Sequence, residues 1–193
     1  MSQDEARFPM VPTLAAALGV KGHRPQVGTR DCKDLLYAFA VVNVLTGALL
    51  ANTLECPKDA KRTTGQSKNR RLQAAFARHL RHVGRMYPQG SHKRVVLLID
   101  NAPWHAGEAV RRALEDNPHL ELKRLPSYSP RLNPIERLWK ALRRRATHNR
   151  LFDTLADLKR SLRNSLRYFQ TMRQRVNSLI HKRPKAKDTG QNQ

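Results

Sequence analysis

Acidic residues are scarce in this sequence of 193 amino acids, which holds 15 Asp and Glu against 37 Lys and Arg. The formal net charge at pH 7 is +22 as a result. An excess of this size raises self-repulsion in a compact chain, and it usually exists to meet a polyanion. Nucleic acid is therefore the first candidate partner, and an anionic membrane surface is the second.

Cysteine is nearly absent as well, since the sequence contains Cys32 and Cys56 alone. Two cysteines exclude a disulfide framework and a four-thiolate zinc site, and they fit a reducing cytosol. The first ten residues, MSQDEARFPM, hold two acids and no apolar run, so we expect no signal peptide. With 39% hydrophobic residues, 11 Pro and 9 Gly, the composition excludes collagen and wholesale disorder, and the length suits one domain.

One uncharged stretch, residues 35–54, approaches the length of a membrane-spanning helix. Its β-branched residues and its central cluster of Asn43, Thr46 and Gly47 instead favour two buried strands joined by a turn. We therefore predict strands at residues 35–44 and 48–55, and no membrane partner.

Two further strands and four helices are predicted from apolar periodicity. The continuous apolar run Val95–Ile99 is typical of a central parallel strand that is buried on both faces, and residues 120–125 predict a second parallel strand. The helices are expected to begin near Asn69, to cover residues 106–115, and to follow the caps Asn133 and Asp153. This order of elements predicts an α/β domain with a mixed sheet.

Loops are predicted where this periodicity is absent. Residues 8–34 read as a loop with a short strand near residues 26–27, and residues 126–130 read as a turn. We assign residues 1–180 to one catalytic domain and residues 181–193 to a disordered basic tail.

Three acidic positions are candidates for chemistry. Asp100 ends the most apolar strand, where functional groups gather in open α/β sheets, although an Asp there also commonly caps the next turn. Glu136 lies one turn into a helix, where an acid also simply complements the helix dipole. Asp4 and Glu5 form the third acidic position, although an acidic pair near the N-terminus is also commonly part of the solvated surface. Acids that converge in so positive a chain would suit Mg²⁺ or Mn²⁺ bridged to phosphate.

Three segments carry a family resemblance: QDEARF at residues 3–8, LIDNAPWH at 98–105 and LPSYSPRLNPIERLWKALRR at 125–144. Together they resemble the catalytic domain of bacterial insertion-sequence transposases of the mariner-like DDE superfamily. The resemblance implies a ribonuclease H-like fold, in which a mixed five-stranded sheet of antiparallel hairpin strands and parallel strands is flanked by helices. It also implies endonuclease and strand-transfer activity on DNA.

By that resemblance, Asp4, Asp100 and Glu136 are the catalytic residues and the ligands of two Mg²⁺ or Mn²⁺ ions. One ion would activate the attacking oxygen and the other would stabilise the leaving oxygen. Asn101 and His105 are auxiliary. We leave open whether His105 hydrogen-bonds a catalytic carboxylate or the scissile phosphate, or only pins its loop.

The DNA contacts are assigned to basic residues that follow Glu136, because from residue 137 onward 16 Lys and Arg stand against three acids. Counterion release makes such binding weaken steeply with salt. The candidates for phosphate contacts are Arg137, Lys140, Arg143 and Arg144.

The sequence departs from the family because no helix-turn-helix module precedes Asp4. We expect an N-terminally truncated catalytic domain whose first strand has lost its leading half, and a separately encoded N-terminal DNA-binding part and a homodimer as partners. The expected location is the cytoplasm, associated with the nucleoid. The alternatives are a decayed or split fragment that binds DNA without cutting it, and a ribonuclease H-like nuclease or resolvase.

Overall fold

A mixed five-stranded sheet organises the computed structural model, which describes residues 1–16, 21, 26–29, 31–91, 94–126 and 133–181. The strand order is β3-β2-β1-β4-β5, in which β1 to β3 pair antiparallel while β4 pairs in parallel with both β1 and β5. The predicted combination of hairpin strands and parallel strands is confirmed. The strands are β1 (Ser2–Pro9), β2 (Leu35–Val42), β3 (Leu49–Cys56), β4 (Val95–Ile99) and β5 (Leu120–Arg124).

Helices cover both faces of the sheet. They are α1 (Ala60–Thr64), α2 (Lys68–Met86), α3 (Glu108–Glu115), α4 (Ile135–Ala146), α5 (Leu155–Thr171) and α6 (Arg173–His181), and a 3₁₀ turn spans Pro103–His105. Within the described ranges, every helix is too short or too polar to cross a bilayer.

Two separate cores result from the period-two alternation of the strands. On β2, Leu36, Ala38 and Ala40 pack in the core beneath α4, α5 and α6. Tyr37 and Phe39 point the other way and pack beneath α2 and α3. Because β2 is buried on both faces, its uncharged sequence is explained without a membrane.

Two predicted helix caps are wrong. The N-cap of α4 is Pro134, and the Asn133 side chain instead accepts a hydrogen bond from the Ser2 hydroxyl at 2.5 Å. The N-cap of α5 is Thr154, whose hydroxyl accepts from the Asp157 amide at 3.1 Å. The Thr154 hydroxyl also donates to the Asp157 carboxylate at 2.6 Å, so the reciprocal pair places the N-cap one residue after Asp153.

Three other expectations change in detail. The short strand near residues 26–27 is wrong, because residues 26–29 carry no strand in the structure. The last predicted helix corresponds to α5, and a further helix, α6, follows it after Met172. Most of the predicted turn at 126–130 and nearly all of the tail at 181–193 lie outside the described residues.

Two glycines with left-handed backbone conformations differ in their surroundings: Gly47 lies in the turn between β2 and β3, and Gly65 follows α1. Gly47 and Gly65 both adopt left-handed φ values, +70° and +66°, but a Cβ on Gly47 would lie 2.3 Å from the Arg173 carbonyl oxygen while one on Gly65 meets nothing. We expect Gly65→Ala to cost about 1–2 kcal/mol and Gly47→Ala about 2–5 kcal/mol in urea unfolding. Equal losses would contradict the close packing of this turn on α6.

Candidate active site

The carboxyl end of β4 lies beside β1 and brings two predicted site residues together. Ser2 pairs in parallel with Leu98, so Asp4 and Asp100 are each two residues further along neighbouring strands. The two carboxyl groups interact, since the charge of Asp100 contributes to raising the pKa of Asp4. The prediction that these acids are neighbours in the sheet is therefore in accord with the strand register.

Asp4 projects from β1 toward α4. Its carboxylate accepts a hydrogen bond from the Trp139 indole N–H at 3.1 Å. Burial, followed by the negative charges of Glu5 and Asp100, raises the pKa of Asp4 to about 7, although this hydrogen bond and one from the Glu5 backbone oppose the shift. Negative charge is thus crowded at this point of an otherwise positive chain.

Glu5 projects from the opposite face of β1, because successive side chains of a strand alternate. Its side chain is only 3% exposed, and its Oε1 lies 2.9 Å from His105 Nε2 and accepts a hydrogen bond from the Gln3 amide at 2.9 Å. Sequence reasoning grouped Glu5 with Asp4 but assigned no role to it. The alternation of the strand is the signal that separates the two.

His105 lies fully buried between two carboxylates. Its Nε2 faces Glu5, and its Nδ1 is 3.1 Å from Asp100 Oδ1. Burial lowers the pKa of His105, but hydrogen bonds to Asp100 and Glu5 outweigh it and raise that pKa to about 9. At neutral pH the ring is therefore an imidazolium that donates from both nitrogens. The same contact, opposed by burial, lowers the pKa of Asp100.

The loop after β4 is shaped to hold this arrangement. The Asp100 side chain accepts from the Ala102 amide at 2.9 Å, and the 3₁₀ turn then directs His105 back toward the sheet. The ring of Phe76 on α2 contacts the imidazole, with centroids 4.4 Å apart. Asn101 donates to the Leu125 carbonyl at 3.0 Å, so it ties the loop to the chain that follows β5.

Glu136, the third predicted acid, is exposed in the first turn of α4. This helix lies along β1, because Asn133 bonds Ser2 before the helix and Trp139 contacts Asp4 one turn after Glu136. Within the described ranges, however, the group of three possible metal ligands whose donor atoms all lie within 4.8 Å of one another consists of Glu5, Asp100 and His105. The grouping of Asp4, Asp100 and Glu136 around shared ions stays a prediction.

The four predicted phosphate contacts differ in their surroundings. Lys140 and Arg144 are exposed on α4. Arg137 donates to the Ile180 carbonyl at 2.9 Å and so fastens α4 to the end of α6. The Arg143 guanidinium lies 5.5 Å from the centre of the Phe8 ring. The first pair is the more available to DNA.

A sequence model of the family described as DDE superfamily endonuclease matches residues 1–159. This chain belongs to that family. It is 27% identical over 164 residues to the insertion element IS630 uncharacterized 39 kDa protein of Shigella sonnei, covering 84% of this chain and 43% of the relative.

A second relative of this DDE family chain is the uncharacterized protein y4pE/y4sA of Sinorhizobium fredii (strain NBRC 101917 / NGR234). The two are 36% identical over 84 residues, which cover 44% of this chain and 58% of the relative. The chain thus spans about half the length of the curated relatives that it matches.

Solved structures share the fold of this DDE family chain. The mariner Mos1 paired end complex with Mg has a TM-score of 0.61 at 22% identity, covering 93% of this chain and 51% of that chain. The catalytic domain of Mos1 mariner transposase has a TM-score of 0.56 at 20% identity, covering 93% of this chain and 76% of that chain. The predicted ribonuclease H-like fold is confirmed.

The raised pKa of Asp4 predicts a stability change with pH. The folded state binds the Asp4 proton up to a pH of about 7, whereas the ordinary pKa of an Asp carboxyl is 3.8, so Asp4 increasingly destabilises the fold as the pH rises between these values. We expect Asp4→Asn to raise the Tm at pH 8, by roughly 2–4 °C per kcal/mol recovered, and to have little effect at pH 4.

The measurement is calorimetry with a chelator present, and the exposed Asp31 gives the matched variant Asp31→Asn. A gain from Asp4→Asn that is the same at both pH values would disprove the raised pKa of Asp4.

The Glu5–His105 contact predicts non-additive variants. His105→Ala leaves the buried Glu5 carboxylate without its imidazolium, so we expect a loss of about 3–5 kcal/mol at pH 7, part of which Glu5→Gln restores. Because the pKa of His105 is raised from 6.5 to about 9, the coupling should be complete below pH 6.5 and fade as the pH passes 9. Additive losses in urea unfolding would refute the contact.

Proposed function

We propose that this chain is the catalytic domain of a DNA transposase, which cuts phosphodiester bonds at the ends of its element and joins them to target DNA. The observation that carries the proposal is the placement of Asp4 and Asp100 on adjacent strands of a DDE family chain whose net charge is +22. The relative from an insertion element and the Mos1 structures, which include a strand transfer complex, support it.

Divalent cations fit the donor set of this site. Carboxylate oxygens are the ligands that Mg²⁺ and Mn²⁺ prefer, and the negative charges that raise the pKa of Asp4 would be relieved by a cation. Mos1 paired end complexes contain Mg and Mn. We assign Asp4, Asp100 and Glu136 as the residues that hold two ions. Such ions supply the activation of the attacking oxygen and the stabilisation of the leaving oxygen.

The remaining residues of the site position these carboxylates. The Trp139 indole N–H fixes the rotamer of Asp4 at 3.1 Å. His105 holds Asp100 at 3.1 Å and is itself held by the buried Glu5, so the orientation of one ligand depends on the opposite face of the sheet. Of the alternatives for His105, we favour this contact with a catalytic carboxylate over one with the phosphate, since both ring nitrogens already face carboxylates.

Positive charge beside the acids would bind the substrate. Lys140 and Arg144 stand exposed on the helix that carries Glu136, where they would contact phosphates of the DNA strand entering the site. Arg137 and Arg143 would add to the local potential while serving as packing contacts. A homodimer and a separately encoded N-terminal DNA-binding part stay predictions.

Nicking of supercoiled DNA in Mg²⁺ tests the proposal. Loss of a carboxylate that holds a metal ion removes several kcal/mol of transition-state stabilisation, so we expect Asp4→Asn, Asp100→Asn and Glu136→Gln each to lower the rate by about 10³ or more. The exposed Glu115 on α3 provides the control Glu115→Gln, which should cut normally.

Two outcomes would overturn the proposal in different ways. Nicking that survives all three substitutions would remove these acids from the chemistry. DNA binding without nicking in any divalent cation would favour the non-catalytic fragment. Joining of a pre-cut DNA end to a target plasmid separates a transposase from a plain nuclease or resolvase.

A further inference from the structure

A second basic surface lies away from the acidic site, in the groove between β3 and α5. We call it the β3–α5 groove; it encloses about 780 Å³ between residues 51–55 of β3 and residues 156–170 of α5. Four basic side chains line it: Lys159, Arg160, Arg163 and Arg167. Polar side chains that commonly contact phosphates, including Asn164 and Gln170, stand among them.

The charge of this groove is only partly compensated. Glu55 is the one acid among the described lining residues, and it pairs with Lys159. Arg160 pairs with Asp157 at 3.1 Å. Across the described part of the chain, no ion pair involves the exposed Arg163 or Arg167. Two guanidinium groups without an ion-pair partner among the described residues therefore line the same groove.

The basic side chains of α5 extend over the length of several backbone phosphates. Leu158, Leu162 and Leu166 of α5 pack in the core, which leaves the opposite stripe to Arg160, Arg163 and Arg167. The stripe from Arg160 to Arg167 extends about 10 Å along the helix at 1.5 Å per residue. One strand of B-DNA presents about three phosphates over that length of its axis.

The β3–α5 groove and Asp4 lie on the same side of the sheet. Ala51 of β3 pairs with Ala40 of β2, and Ala40 pairs with Asp4 of β1. The row crosses two strand spacings, which is about 10 Å at Cα level. α4 packs on β1, and α5 packs on β2 and β3.

We infer that the β3–α5 groove is a second DNA-binding site, which grips the phosphate backbone of a duplex independently of base sequence and of the acidic site. Arg163 and Arg167 make the phosphate contacts. Lys159 and Arg160, which are already paired with acids, contribute mainly to the local potential. The inference concerns binding alone, so it does not depend on the proposed cleavage.

The test is the salt dependence of binding to a labelled DNA duplex of random sequence, measured by fluorescence anisotropy with a chelator present. Each phosphate contact contributes about 0.9 to the slope of log K against log salt, so Arg163→Gln/Arg167→Gln should lower the slope by about 1.8. Between about 50 and 200 mM salt, the double variant should then lose roughly tenfold less affinity than the unaltered chain.

The matched control removes two exposed arginines from α2, on the other face of the sheet, as Arg78→Gln/Arg85→Gln. We expect its slope to stay close to that of the unaltered chain. Equal slopes for the two double variants would overturn the inference, because charge would then act as a diffuse field. An unchanged DNA slope with lost binding to phosphatidylserine vesicles would overturn it as well.

The groove and the catalytic proposal fail separately. If Arg163→Gln/Arg167→Gln lowers the salt slope while the unaltered chain never nicks DNA, the second DNA-binding site is supported and the catalytic assignment is refuted. If the unaltered chain nicks DNA and the double variant keeps the same salt slope, the catalytic assignment is supported and the second DNA-binding site is refuted. Thermal unfolding of each variant checks that the fold is intact. We expect little change in Tm, because the substituted side chains are exposed.

Discussion

Crowded negative charge at the junction of β1 and β4 is the constraint on which the site depends. Asp4, Glu5 and Asp100 lie within one short region of a chain with 37 basic residues, and burial together with the charges of Glu5 and Asp100 raises the pKa of Asp4. The fold manages this repulsion by alternation: Asp4 faces α4, while Glu5 faces the 3₁₀ turn and meets an imidazolium. A structure made for stability alone would not retain such a cluster, which is why it indicates function.

β1 connects the two halves of the molecule. Glu5 on one face of β1 contacts His105 in the loop after β4, and Asp4 on the other face contacts Trp139 of α4. The Ser2 hydroxyl donates a hydrogen bond to the Asn133 side chain just before α4 begins, and the Phe8 and Trp139 rings pack edge to face. The register of one strand therefore sets both the loop that carries Asp100 and the helix that carries Glu136. A shift of β1 by one residue would exchange the surroundings of Asp4 and Glu5.

The elements were predicted well where a long periodic pattern decided them. The hairpin strands, α2 and β4 each have such a pattern, because burial of one face or both is fixed by the identity of their own side chains. The helix caps were predicted poorly at Asn133 and Asp153. A capping side chain can form one of several hydrogen bonds of similar energy. The Asn133 side chain bonds Ser2, 131 residues away, instead of the first turn of α4.

The sequence by itself determined the fold class, the candidate acids and the basic character of the surface, since these follow from composition, periodicity and local motifs. Only the tertiary structure decided that Glu5 and His105 hold Asp100, that Trp139 holds Asp4, and that Arg163 and Arg167 share a groove with β3. These contacts join residues from distant parts of the chain. Their geometry depends on strand register and helix placement, which no local pattern specifies.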